Sequence, residues 1–167
     1  VPALYVVHGG LFEISHIPFS YYPQLLDLFY CIPLYFGNDI APKYIHFAFA
    51  LATAGVLYKY LSGKFGSAYG LTGAFLFLNV PVVMKLSTTV YVDLGLVFFT
   101  FLSAVMLLKW RENNHRVTYF VIAAAAAGFA ASIKYKGWVT LGVLTGRVAV
   151  STEKHRNRKK RAHAFVC

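Results

Sequence analysis

The sequence predicts an all-α fold: a polytopic transmembrane helix bundle with an external loop and an interfacial helix at its N-terminus. Three observations predict it. The chain of 167 residues is 58% hydrophobic and 17% aromatic but only 13% charged, where a soluble domain carries roughly a quarter charged residues. Apolar runs recur between short polar clusters, and the longest, at 94–108, crosses most of the ~30 Å of bilayer hydrocarbon once its flanks are added. The 16 Lys and Arg residues lie in those clusters between runs, as the positive-inside rule requires. The organisation that follows is an external loop and interfacial helix at 1–37, a bundle of about five spans at 38–150, and a basic cytoplasmic tail at 151–167.

Residues 1–20 mix Pro2, Gly9, Gly10 and Pro18 with His8, Glu13 and His16, a turn-rich composition that leaves room for one short helix in a loop outside the membrane. The stretch YYPQLLDLFYCIPLYF, 21–36, is apolar and aromatic but short, holds Asp27 and is broken by Pro33. It fits a helix lying at the interface with tyrosines at headgroup level. Asp39 then caps a first span at 41–61 whose early turn holds Pro42, and Lys59, Gly63, Lys64 and Gly66 close it. His46 falls inside that span, where a hydrogen bond within or between helices is the expected role. A second span at 68–84 is kinked near its end by Pro81.

The third span lies in STTVYVDLGLVFFTFLSAVMLLK, 87–109, on a helix starting near Thr89. Asp93 sits in its first turn, where unpaired N–H groups and the helix dipole favour a carboxylate. Helix capping would explain it; so would function, since an acid at a membrane boundary is costly to keep. After the polar turn KWRENNHR, a fourth span, VTYFVIAAAAAGFAASI, offers Ala and Gly for close helix approach. It runs into Lys134, Tyr135, Lys136 and Gly137, and a short fifth run follows at 138–150.

This helix order puts twelve Lys and Arg residues on one side and four, Lys43, Lys85, Lys134 and Lys136, on the other, so the twelve mark the cytoplasm. The N-terminal loop, Asp93, Lys85 and the Lys134/Lys136 pair then share the external face. A carboxylate with two or three ammonium groups around an external cavity suits a substrate carrying phosphate, the acid acting on an acceptor. Lysines that merely snorkel to headgroups are the plainer alternative.

Other chemistries find no motif. Cys31 and Cys167 are too few and too far apart for a disulfide framework, and the six histidines show no metal spacing. No GxxxxGK or GxSxG occurs. The KHRNRKKR run beside the last apolar segment reads as a membrane-surface anchor, and no nucleic-acid partner is expected. No signal peptide is visible and the chain begins without Met, which predicts a fragment of a longer protein.

The stretches HGGLFEISHIPFSYYPQL, FGNDIAPKYIHFAFALATAGVLYKYL, TTVYVDLGLVFF and GFAASIKYKGW occur in this order over about residues 1–140. In them the chain resembles the polytopic GT-C type glycosyltransferases that use lipid-phosphate sugars, namely the protein O-mannosyltransferase and aminoarabinose-transferase-like proteins of bacterial inner membranes. The resemblance implies transfer of a sugar, with inversion, from a polyprenyl-phosphate donor to a lipid, glycan or protein acceptor on the external face. It implies that Asp93 handles the acceptor and that Lys134, with Lys136 and Lys85 beside it, meets the donor phosphate. Glu13 would be a second acid, and His16, Pro18, Tyr22 and Tyr91 would line the cavity. No cofactor is certain; a divalent metal ion stays open, because some relatives use one. The family's main catalytic acid follows its first spanning helix, a point just upstream of Val1, so this segment is expected to be inactive alone.

Two other classes compete. A transporter or flippase-like protein would hold Asp93 and Lys134 as a charge pair in its pathway, near mid-membrane, and a structural subunit would need neither. Depth of Asp93 separates transferase from transporter.

Overall fold

The computed structural model describes residues 1–10, 12, 17, 21 and 23–148. Among these the chain is helical without strands: α1 (Pro2–Val7), α2 (Leu25–Tyr35), α3 (Ala41–Phe65), α4 (Ser67–Leu78), α5 (Pro81–Ser87), α6 (Asp93–Glu112), α7 (Val117–Ile133) and α8, helical over 136–148. The basic tail lies outside the described residues.

Local chemistry sets most of the boundaries. Pro33 does not break α2, which continues through it to Tyr35; it forfeits the bond to the Phe29 carbonyl, and the helix ends two residues later. Asn38, and not Asp39, prepares α3, its Oδ1 accepting the N–H groups of Ile40 at 3.1 Å and Ala41 at 2.9 Å. Gly66, at φ 103°, separates α3 from α4 in a conformation closed to other residues. Gly70 lets α4 lie against α3, because a Cβ there would sit 2.8 Å from the Tyr58 carbonyl oxygen. Where a kink is expected at Pro81, the helix breaks outright: Pro81 opens α5, which leaves α4 at 67°. The third long helix starts at Asp93 itself rather than near Thr89, residues 88–92 forming a connection outside any helix. α6 and α7 are joined by a tight turn in which Asn114 and His115 both have positive φ.

His46 near the start of α3 bonds to the start of α6, and Lys64 at the end of α3 pairs with Glu112 at the end of α6. These two helices therefore run parallel. α7 returns antiparallel to α6, its most extensive neighbour, and α3 packs chiefly on α4 and α6. Among the described residues α6 is the one helix long and apolar enough to cross a membrane, fewer than the five spans expected, and α4 with α5 passes the same test only if the bent pair counts as one span. At 25 residues, α3 reaches about 37 Å.

Packing is inverted relative to a water-soluble core. Small residues fill the seams, Ala50 and Ala130 at 0% exposure and Ala127 at 1%, while Leu71, Phe75 and Leu76 of α4 are 62–67% exposed. Lipid-facing surfaces tolerate large apolar side chains, and close helix contact favours small ones. Two clusters of buried residues, Leu26–Tyr30–Ile133 and Ala50–Val83–Leu94, gather at the end of the bundle that carries Asp93.

Candidate active site

Antiparallel packing of helices of 20 and 17 residues across a short turn brings the first residue of α6 to the end of α7. Asp93 opens α6, at the positive end of its dipole, and Lys134 follows α7, at the negative end. Each charge sits where its helix favours it. Lys134 Nζ donates to Asp93 Oδ1 at 2.8 Å, and the side chains keep 22% and 32% exposure. The pair is thus reachable from one end of the bundle.

Lys134 gains its position from the turn behind it. The backbone leaves α7 in an extended conformation at Lys134, and Gly137 N–H closes on the Lys134 carbonyl at 2.8 Å. A Cβ on Gly137 would run into the backbone of Ala130 and Ala131, so only glycine fits. Gly95 lets α2 lie close to α6, since a Cβ there would overlap Leu26 Cδ1, the tip of a side chain that would have to shift.

The segment that precedes Asp93 is tied from three sides. His46, fully buried, accepts the Leu94 N–H at its Nε2, 3.1 Å away, so that nitrogen carries no proton. Its Nδ1–H is shared between the carbonyls of Leu86 at 2.9 Å and Thr89 at 3.0 Å. Tyr30 of α2 donates to the Tyr91 carbonyl at 3.0 Å. Burial, and next the charge of Asp27, push the Tyr30 hydroxyl well up from its ordinary value, which keeps it a donor. Tyr135 donates to the carbonyl of Tyr21 at 3.0 Å, reaching from the Lys134 turn to the chain before α2.

Among the residues expected from sequence, the structure brings Asp93 and Lys134 together. Lys85 on α5 and Lys136 at the start of α8 are exposed and make no ion pair among the described residues. Tyr91 lies two residues before Asp93; it is 55% exposed and its carbonyl is held by Tyr30. Glu13, His16, Pro18 and Tyr22 lie outside the described residues. No group of three metal-binding side chains occurs among the described residues. His46, Tyr30 and Gly137 carry structural weight that the sequence signalled only as a histidine in an apolar run, an interfacial tyrosine and a glycine after a lysine pair.

No curated protein and no solved structure matches the chain. The family model of the dolichyl-phosphate-mannose-protein mannosyltransferases matches residues 22–167. That match runs from the approach to α2, through the Asp93–Lys134 pair, into the tail. An all-helical chain with lipid-type packing, an acid and a lysine joined at one end of the bundle, and a match over most of its length agree: the chain belongs to the dolichyl-phosphate-mannose-protein mannosyltransferase family of integral membrane glycosyltransferases.

Proposed function

We propose that the protein transfers a sugar from a polyprenyl-phosphate donor to an acceptor hydroxyl on the external face of a bacterial inner membrane, with GT-C type architecture. The observation that carries this is the Asp93–Lys134 pair at the helix ends. Oδ1 of Asp93 takes the ammonium, which leaves Oδ2 to accept the acceptor hydroxyl's proton. The acceptor oxygen then bonds to the anomeric carbon as the bond from that carbon to the phosphate oxygen breaks, and the electron pair leaves on polyprenyl phosphate with inversion. Lys134 Nζ stabilises the charge that develops on that phosphate. Exposed Lys85 and Lys136 add positive charge for the donor headgroup, and Glu13, His16, Pro18, Tyr22 and Tyr91 belong to the cavity wall in this reading.

A transporter would hold the same charge pair, but within its spans. Here Asp93 is the first residue of α6 and Lys134 the first beyond α7, which favours transfer at the bundle's end. The test uses the full-length protein in membranes supplied with a radiolabelled polyprenyl-phosphate sugar. Asp93→Asn abolishes transfer at normal expression, and Lys134→Ala weakens donor binding. Unchanged transfer by the first, or unchanged donor affinity in the second, refutes the corresponding role.

A further inference from the structure

We propose that His46 is a positioning residue for transfer: from α3 it sets the height and direction of Asp93 through the backbone of α6. The inference rests on the reading of Asp93 as the carboxylate that handles the acceptor. The first turn of any helix leaves N–H groups without partners, and a capping side chain ordinarily takes one. Val92, at the cap position of α6, has no side chain able to do so and makes no cap bond. The imidazole of another helix does it instead, with Nε2 accepting the Leu94 N–H at 3.1 Å.

The same ring reaches the other side of the connection. Its Nδ1–H meets the carbonyls of Leu86 and Thr89 at 2.9 and 3.0 Å. One neutral side chain thus holds the end of α5, the approach to α6 and the residue after Asp93 in a single frame. Asp93 lies between these anchors, one peptide from Leu94. With 0% exposure, the ring bears the cost of burying two polar atoms that a phenylalanine would avoid, and every one of those atoms is spent on backbone around Asp93. A shift of about 1 Å at a reacting group costs roughly a hundredfold in rate, so a bolt at this place acts on rate rather than on donor affinity.

The experiment compares His46→Phe, His46→Gln, Ser103→Ala and Asp93→Asn in full-length protein, in membranes given polyprenyl-phosphate mannose and their own acceptors. Maximal rate per enzyme, donor KM and melting temperature are read for each. His46→Phe lowers the maximal rate about tenfold or more while donor KM stays within about twofold. His46→Gln, whose amide spaces one acceptor and one donor much as the ring does, recovers the rate to within about threefold. Ser103→Ala removes another buried bond, Oγ to the Ala123 carbonyl at 2.6 Å, and lowers melting temperature without lowering the rate. A His46→Phe rate within about twofold of wild type overturns the inference, as does a folded His46→Gln that stays as slow as the Phe variant. Where His46→Phe does not accumulate, His46→Asn decides, since its side chain is one methylene shorter and its amide stops short of the Leu94 N–H: a tenfold loss of rate supports positioning, and a rate like that of Gln overturns it. Asp93→Asn separates the layers. If it transfers normally, the reading of Asp93 fails; if it is inactive while His46→Phe runs at full rate, only the positioning role fails.

Discussion

Gly137→Ala tests the turn that presents Lys134. The added methyl would strike the Ala130 carbonyl and the Ala131 nitrogen, both backbone atoms of the last turn of α7. Neither can rotate away, so the turn must open by about 1 Å to restore ordinary contact. Lys134 is tied to Gly137 by a 2.8 Å backbone bond and to Asp93 by a 2.8 Å ion pair. The same 1 Å, transmitted to Nζ, lengthens the pair to about 3.8 Å, past hydrogen-bonding distance. Overpacking of this kind costs about 1–3 kcal/mol, and contact with backbone puts it at the upper end, near 3 kcal/mol. The assay is melting of the full-length protein in detergent, together with transfer against donor concentration. Melting falls by several degrees and apparent donor affinity weakens. Gly128→Ala is the control: it lies within α7, the helix whose last turn Gly137 meets, with nothing within 4 Å of a new Cβ, and it should be neutral or stabilising, since Ala is the better helix former by roughly 1 kcal/mol. The reasoning is refuted if both alanines behave alike.

Asp27 and Lys64 extend the predictions to α2 and to the far end of the bundle. Burial raises the Asp27 carboxyl above its ordinary value of 3.8. The fold binds that proton more tightly than the unfolded chain does, so stability falls as pH rises through the ordinary Asp range and then levels off above the raised value. Asp27→Asn should therefore melt higher than wild type at pH 7, with the gap closing as pH is lowered to about 4; a gap independent of pH would contradict the burial argument. The Lys64–Glu112 pair, 2.7 Å long and 37% and 47% exposed, should matter little. Melting of Lys64→Ala within about 2 °C of wild type is expected, and a larger fall would show that the pair does more than an exposed pair can.

The features legible in the sequence were those that arise from composition or from sharp breaks in it. The bounds of α7 coincide with the apolar run between Arg116 and Lys134, because a charged residue stands at each end. Asp93 and Lys134 could be placed on one face from charge counting alone, and helix reversal then makes them neighbours. Boundaries set by tertiary contact were not legible. α6 starts at Asp93 rather than near Thr89 because His46, 48 positions from Leu94, supplies the first-turn acceptor that no local residue offers. A histidine in an apolar run gives no sign of which backbone it will find. Lys85 and Lys136 looked equivalent to Lys134 by side and spacing, yet only Lys134 lies where α7 ends against α6. The choice of Asn38 over Asp39 as the turn residue before α3 depends on one position of register, below what residue preference resolves.

The alanine seam of α7 has a mechanical corollary. Ala123, Ala126, Ala127 and Ala130 present a smooth track, with few ridges to resist sliding of one rod along another. A slip of one residue moves a helix by about 1.5 Å, more than a 2.8 Å ion pair survives. The Asp93–Lys134 contact therefore fixes the axial registry of the two rods at their end, as the Ser103–Ala123 bond does further along them.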